Sequence, residues 1–257
     1  MEFIFALIVG SFVGMAAGYL GTLMLSKRMA LVAGPLGHLT LPGIAVAFLL
    51  GIDISLGAFL VVILGIIIIW YLEMKTKLPM EALTAVIFAT GVAVTFLFIS
   101  EEKTIPALIG DITQISLTAT IITVILSLLV IFATKKIYKK ITLAEISEDI
   151  ARSRGINVKK YNFIYLLCIA IVVSLGAKIV GGLMTAALVA IPACTSRNLS
   201  KNISQYALTG LIFGGLSCLL GILGSNFASI PAGLLIIFIS VFFFLISLIF
   251  NFYKKSE

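Results

Sequence analysis

The apolar positions of this chain gather into long runs that short polar segments separate. A helix that crosses a bilayer needs about 20 mostly apolar residues. The pattern therefore predicts an all-α polytopic membrane protein, a bundle of about nine transmembrane helices that forms one domain over residues 1–257. The nine runs are Phe3–Leu25, Met29–Ile52, Ile54–Leu72, Ala82–Ile99, Ile115–Thr134, Tyr161–Ala177, Ile179–Thr195, Tyr206–Gly224 and Ile230–Tyr253.

The second and seventh runs contain glycine and proline at internal positions. Irregular backbone at membrane depth is tolerated only where protein buries it or where it lines a cavity. We therefore expect these two segments to be broken helices or partly re-entrant, with the breaks at Pro42, Gly43 and Pro192. The glycines and prolines are Gly34, Pro35, Pro42 and Gly43 in the second run, and Gly181, Gly182 and Pro192 in the seventh.

Glycines also recur every four residues in the first run, at Gly10, Gly14 and Gly18, and again at Gly210 and Gly214 in the eighth. Small residues at this spacing lie on one helix face and let two helix backbones approach closely. The spacing predicts tight packing within the bundle and no function of its own.

The composition supports the membrane assignment. Hydrophobic residues make up 61% of the chain and charged residues 11%, with a mean hydropathy of +1.23. A soluble domain has about 45–50% apolar and about 25% charged residues. The net charge of +7 does not indicate nucleic-acid binding, because the basic residues lie in short groups between apolar runs. Cys168, Cys194 and Cys218 lie within apolar runs without metal-type spacing, so we interpret them as small buried side chains.

The charged loops predict the orientation, because cytoplasmic loops carry an excess of Lys and Arg. The resulting topology places the N-terminus outside, the C-terminus inside and an acidic surface outside. That surface would either concentrate cations or simply reflect the exclusion of basic residues from outer loops. The predicted cytoplasmic groups are Lys27, Arg28, Lys75, Lys77, the segment 135–160, Arg197, Lys201, Lys254 and Lys255, and the predicted outer residues are Glu2, Asp53, Glu101, Glu102, Lys103, Asp111 and Lys178.

The segment 135–160 is the one long polar stretch of the sequence. Thr142 and Glu145 have the spacing of a capping box, which predicts the start of a short helix. Gly155 is a plausible end of that helix. Ile146 and Ile150 would share one face of it. The helix could lie on lipid as an interfacial element or dock a cytoplasmic partner, and the pattern alone favours neither reading.

Several blocks resemble the permeases of metal-type ABC transporters, a family that carries zinc, manganese or iron. Residues 37–51, GHLTLPGIAVAFLLG, are similar to the family pattern G-D-x-x-S-H-x-x-L-P-G and its apolar continuation. Residues 107–110 resemble an L-F-G element, and residues 180–184 and 187–195 resemble a V-G-x-L-L-V-x-A-L-L-I-x-P-A-A-T block. The segment from Ile146 to Val158 resembles the D-E-x-A-x-x-x-G coupling helix, and the similarity extends over nearly the whole chain.

The resemblance implies a cell-membrane permease that pairs with a second copy around a central path. Two ATPase subunits would dock beneath and use ATP, and an extracellular solute-binding protein would deliver the ion. Membrane lipid would surround the bundle. The docking residues that it implies are Glu145, Ile146, Asp149, Ile150 and Gly155. At the positions of the family's usual Asp and Ser this chain has Gly34 and Gly37.

His38, Asp53 and Glu81 are the candidate metal-path residues, with His38 and Asp53 as possible ligands. A neutral imidazole suits zinc, iron or manganese, although a lone histidine in an apolar stretch is commonly a packing residue. Asp53 is either an outer metal ligand or a solvated loop acid. Glu81 is either an exit carboxylate or a favourable charge at a helix N-terminus.

The sequence contains no GxxxxGK[ST] phosphate loop, so we expect a transport subunit without ATPase activity of its own. One histidine also leaves no basis for a Ser/His/Asp catalytic constellation. Two alternatives remain open at this stage. One is a permease for a metal chelate such as a siderophore or cobalamin, and the other is a stand-alone secondary transporter, which would commonly contain inverted repeats.

Overall fold

The structure is a computed structural model that describes residues 2–29, 32–51, 54–76, 78–98, 115–182, 184–228 and 230–255. These residues form helices and connecting turns, without strands. The helices are α1 Glu2–Ser26, α2 Ala33–His38, α3 Thr40–Leu50, α4 Ile54–Thr76, α5 Met80–Phe98, α6 Leu117–Ile146, α7 Glu148–Ser153, α8 Val158–Val180, α9 Thr185–Leu199, α10 Ile203–Ala228 and α11 Ala232–Lys255. The predicted fold class, an all-α polytopic bundle, is confirmed.

Six of the described helices are long and apolar enough to cross a membrane: α1, α4, α6, α8, α10 and α11. Helix α5 adds a shorter apolar helix. The remaining two predicted segments correspond to the pair α2 and α3 and to α9, which has 15 residues and extends about 22 Å. That length is below the roughly 30 Å of a hydrocarbon core. The expectation of interrupted second and seventh segments therefore agrees with the helix boundaries.

The predicted end of the fifth run is wrong. Helix α6 does not end near Thr134 but continues to Ile146, which gives it a total length of 30 residues from Leu117. At 1.5 Å per residue it is about 45 Å long, so about ten residues extend beyond the membrane core. The polar residues after Thr134 do not end the helix, because a helix can continue into water when its side chains are polar.

Helix α1 occupies the centre of the bundle and packs against α6, α8, α9 and α10. Its glycine face fits the glycine face of α10. A Cβ atom added at Gly14 or Gly18 would overlap the carbonyl oxygen of Gly214 or Gly210, respectively. The sequence prediction of close helix packing is confirmed at these positions.

The helix faces divide in the way that a bilayer requires. Helix α6 exposes large apolar side chains such as Ile121, Ile125 and Phe132, while Ser127 and Thr134 are fully buried. Lipid tails solvate apolar side chains as well as a protein core does, so small polar residues are favoured where helices approach closely. Because apolar residues are exposed and small polar residues are buried, the reverse of a soluble protein, α6 has no amphipathic pattern.

Candidate functional site

The first candidate, His38, lies where the second membrane segment is interrupted. It is the last residue of α2, and Leu39 separates that helix from α3. The imidazole is half-buried and packs against the ring of Phe88 on α5, with the ring centroids 5.2 Å apart. His38 is therefore held by an aromatic contact at a helix end.

The interruption has a local chemical cause. Pro42 has no backbone N–H, so it cannot provide the helical hydrogen bond to the carbonyl oxygen of His38, four residues earlier. The Thr40 hydroxyl donates to the carbonyl oxygen of Gly37, the residue before His38, at 2.7 Å. The helix break lies at Leu39, before Pro42 and Gly43. The predicted position of the break is thus corrected by a few residues.

Leu39 anchors this break in the bundle. Its side chain is only 2% exposed and lies between two glycines of neighbouring helices. A Cβ atom at Gly65 of α4 would be 2.8 Å from one Leu39 methyl carbon, and one at Gly91 of α5 would be 2.7 Å from the other. The two glycines form the cradle that receives Leu39 and so fix the position of His38 next to it.

The seventh segment is interrupted between Val180, where α8 ends, and Thr185, where α9 begins. Gly181 has a φ of 85°, in the left-handed region that favours glycine. Its carbonyl oxygen accepts the Thr185 hydroxyl at 2.8 Å. The helix then continues through Pro192, which lies inside α9. The prediction of a break at Pro192 is therefore wrong. The segment is interrupted instead at the two glycines that precede the helix, Gly181 and Gly182.

The two interrupted segments meet at Gly37 and Gly182. A Cβ atom at Gly37 would be 2.5 Å from the carbonyl oxygen of Gly182, and one at Gly182 would be 2.8 Å from the carbonyl oxygen of Gly37. A serine at position 37 would not fit unless this backbone moved. At Gly34 a Cβ atom would make an ordinary contact of 3.4 Å with Ala186. The close backbone contact therefore leaves no room for a side chain at Gly37, whereas the space around Gly34 would accept a Cβ atom.

The structure does not bring the three metal-path candidates together. Glu81 is exposed in the first turn of α5, seven residues before the Phe88 that contacts His38, a separation of about 10 Å along the helix. Asp53 lies outside the described residues, as do the 107–110 block and Lys103. Within the described ranges, no group of three His, Cys, Asp or Glu side chains could hold a metal ion.

Glu81 instead lines a cavity of about 740 Å³ at the predicted cytoplasmic end. The cavity brings together three of the predicted cytoplasmic loops, which supports their placement on one side. Side chains of both charge signs surround it, with Trp70 at one wall. The charged residues that line it are Lys27, Arg28, Glu73, Glu81, Glu145, Glu148, Arg152 and Lys159.

The predicted docking segment contains a short helix, α7, that differs from the prediction at its start. Thr142 and Glu145 lie inside α6, and the Thr142 hydroxyl donates to the carbonyl oxygen of Tyr138. The capping-box prediction is therefore wrong. Ser147 is the N-cap, since its hydroxyl oxygen accepts the N–H of Ile150 at 3.3 Å. A serine directly before two acidic residues was the sequence signal for this cap.

The end of α7 follows the prediction. Gly155 has a φ of 73°, and its N–H donates to the carbonyl oxygen of Arg152. The N–H of Ile156 donates to Ala151, which completes a Schellman motif. Ile146 and Ile150 are 76% and 48% exposed, beside exposed acidic residues. The segment therefore presents one apolar side chain at the end of α6, Ile146, and another on the short, capped helix α7, Ile150, beside exposed charge.

Comparison with known proteins agrees with this architecture. A model of the ABC 3 transport family matches residues 1–251. The manganese transport system membrane protein MntC of Listeria monocytogenes is 23% identical over 262 residues, covering 98% of this chain and 94% of that protein. The high-affinity zinc uptake system membrane protein ZnuB of Haemophilus influenzae is 27% identical over 254 residues, covering 95% of each.

The fold also matches a solved structure, that of PsaBC from Streptococcus pneumoniae in complex with Fab. The TM-score is 0.80 at 24% identity, and the match covers 94% of this chain and 89% of that chain. This likeness shows a shared fold.

Proposed function

Because this chain belongs to the ABC 3 transport family, we propose that it is the membrane-spanning permease of an ATP-driven importer of a divalent metal ion, with manganese and zinc as the first candidates. The observation that carries the proposal is the match of one family model to nearly the entire chain. The names of relatives that align over almost their full length, a manganese and a zinc transport protein, support the choice of cargo.

The partners that we propose follow from the same assignment. An ATPase subunit would dock on the exposed, capped helix α7 and hydrolyse ATP, and an extracellular solute-binding protein would deliver the ion. A second copy of this chain would complete the path, with lipid around the apolar faces. Exposed Ile146 and Ile150 support the docking role, because a protein partner would remove both side chains from water.

His38 is the side chain that we propose to contact the ion in transit. Its imidazole is a good ligand for borderline metals. Pro42 leaves the carbonyl oxygen of the same residue without its usual helical donor. Few ligands suit a path, because an ion that binds weakly can leave again. Glu81 would serve as an exit carboxylate at the cytoplasmic cavity, and Asp53 as an outer one.

Uptake by vesicles that contain this chain, its ATPase and its solute-binding protein tests the proposed function. Manganese, zinc and iron would be offered separately, with ATP inside or omitted. We expect uptake of at least one ion that requires both ATP and the ATPase subunit. Uptake driven by an ion gradient without the ATPase would contradict the proposal in favour of a secondary transporter. Uptake restricted to a chelated metal would do so in favour of a chelate permease.

Substitution of His38 tests its proposed role in the same vesicles. We expect His38→Ala and His38→Asn each to lower uptake by about 10- to 100-fold, by analogy with losses in metal sites. Thermal stability and ATPase binding should stay near those of the wild type. Asn keeps hydrogen-bonding capacity but offers a weaker ligand, so a packing histidine would tolerate Asn better than Ala. Wild-type uptake of every metal by the Asn variant would exclude the ligand role.

A further inference from the structure

Lys27 is held at a fixed position by the turn that ends α1. Arg28 adopts a left-handed conformation with a φ of 58°, and its N–H donates to the carbonyl oxygen of Leu25. The N–H of Met29 donates to Met24 at 2.8 Å, which completes a Schellman motif. A non-glycine residue in this conformation costs about 1–3 kcal/mol. The turn therefore keeps a strained backbone next to Lys27, whose side chain is largely buried.

The Lys27 ammonium joins two other parts of the bundle. Its Nζ donates to Oδ1 of Asn162 at 3.1 Å and lies 5.1 Å from the ring centre of Tyr165, both on α8. It also lies 3.9 Å from Oε2 of Glu145 near the end of α6. The side chain is only 11% exposed. Burial lowers the pKa of Lys27, and the nearby carboxylates of Glu145 and Glu73 counteract that change.

Glu145 occupies a position where a carboxylate needs such a partner. It lies in the last turn of α6, next to carbonyl groups that carry the negative end of the helix dipole. The Lys27 charge offsets that repulsion. Glu145 is also only three residues before Glu148, the first residue of α7, so the ion pair lies at the base of the docking helix.

Helix α1 connects Lys27 to the interrupted segments. Gly21, about 9 Å from Lys27 along the helix, lets α1 approach α9 so closely that an added Cβ would overlap the carbonyl oxygen of Val189. Helix α9 begins at Thr185, three positions after Gly182, whose backbone touches Gly37. The docking helix is therefore connected to the residue next to His38 by three contacts, Lys27 with Glu145, Gly21 with Val189 and Gly182 with Gly37, which the backbone between them joins.

We infer that Lys27 is a positioning residue that transmits movement of the docking helix α7, through α1, to the contact between the two interrupted segments. The inference rests on the proposed function, because it concerns how ATP hydrolysis by the partner is converted into transport. Neutralising Lys27 should loosen this link without removing the docking surface. ATP hydrolysis should then continue while metal movement per ATP declines.

The test compares Lys27→Met with Lys139→Met in vesicles that contain the ATPase and solute-binding subunits. Lys139 is an exposed lysine of α6 near the same membrane face and serves as the matched control. Three quantities are measured: ATPase binding, ATP hydrolysis, and metal taken up per ATP hydrolysed. We expect Lys27→Met to keep binding and hydrolysis and to lower uptake per ATP by about 2- to 30-fold. Lys139→Met should match the wild type.

Lys27→Arg and a double-mutant cycle with Glu145→Gln separate transmission from simple structural support. Arg keeps the charge and should restore most of the uptake per ATP. As a single substitution, Glu145→Gln should lower the uptake per ATP. Combined with Lys27→Met, it should lower that ratio little further. Equal ratios for Lys27→Met and Lys139→Met, or strictly additive effects, would overturn the inference.

If Lys27→Met fails to assemble, Glu145→Gln decides the matter, because that side chain is 45% exposed. Since Glu145 is also a predicted docking residue, its ratio is measured on complexes that contain the bound ATPase. A wild-type ratio for Glu145→Gln would then refute the inference, and a lowered ratio would support it. Failure of the wild-type complex to transport any metal with ATP would instead contradict the proposed function. The two failures are therefore distinguishable.

Discussion

The contact between Gly37 and Gly182 can be tested by adding a single methyl group. In Gly37→Ala, the new Cβ would lie 2.5 Å from the carbonyl oxygen of Gly182, whereas ordinary contacts begin at 3.4 Å. The two backbones would have to separate by the difference, 3.4 minus 2.5, which is 0.9 Å. The obstructing atom belongs to a backbone next to a left-handed glycine, so no side-chain rotation can relieve the overlap.

Gly34→Ala provides the matched control, three residues earlier on the same short helix. Its Cβ would make an ordinary 3.4 Å contact with Ala186. Both variants gain about the same helix propensity, roughly 1 kcal/mol, so that gain cancels when the two are compared. Overpacking costs about 1–3 kcal/mol, and this cost applies only to Gly37→Ala.

The expected difference in unfolding free energy between the two alanine variants is therefore about 1–3 kcal/mol, with Gly37→Ala the less stable. For a chain of this size the apparent melting temperature would differ by roughly 2–12 °C. The assay is thermal melting of the purified proteins in detergent, followed by metal uptake with the partner subunits. Uptake should decline in Gly37→Ala and not in Gly34→Ala, because only the former displaces the backbone beside His38.

Equal melting temperatures for the two variants would refute the reasoning, since they would show that nothing rigid faces Gly37. Lower stability with unchanged uptake would separate the contact from transport. In that case the crossing of the two segments would be a packing feature, and the proposed link from Lys27 would lack its final step.

Three further predictions concern the docking helix, the topology and the end of α1. Ile150→Asp should abolish ATPase binding in a pull-down without lowering the melting temperature, because the side chain is already half exposed; unchanged binding would favour the lipid-surface reading. With the native cysteines replaced, Asp149→Cys should react with an impermeant reagent from inside and Phe227→Cys from outside, and labelling of both from one side would contradict the orientation. Arg28→Gly should stabilise the chain against thermal unfolding by about 0.5–1 kcal/mol, because the relief of left-handed strain exceeds the entropic cost of glycine. A lower melting temperature would show that contacts of the arginine side chain stabilise the fold by more than the strain costs.

The sequence was informative wherever the physics is local or one-dimensional. Span length and loop charge predicted the membrane bundle and the loops that gather at one end. The Gly155 helix end could be recognised because a Schellman motif depends on neighbouring residues only. The Ser147 cap had a local signal too, but Thr142 and Glu145 matched the same pattern, and only the observed continuity of α6 distinguishes them.

Which helices and side chains contact each other across the bundle could not be predicted in this way. Hydrophobic periodicity reveals the buried face of a soluble helix. In α6, however, the exposed face carries apolar residues such as Ile125 and the buried face carries small polar residues such as Ser127. Because both residue types are tolerated in a membrane helix, the hydrophobic pattern does not identify the buried face. The sequence predicts Lys27 only as a basic residue of a cytoplasmic loop. Its hydrogen-bond partner, Asn162, is 135 positions away, so no local pattern indicates the contact.

The sequence by itself determined that this chain spans a membrane and that its second and seventh segments are interrupted, and it predicted which loops share a side, because bilayer thickness, charge and the backbone chemistry of glycine and proline act on short stretches. Only the tertiary structure decided that the two interruptions touch at Gly37 and Gly182, and that a buried lysine joins the docking segment to the central helix. Those contacts depend on how far each helix is rotated about its axis and on where neighbouring helices cross. Both are set by the packing of the whole bundle, which no local pattern records.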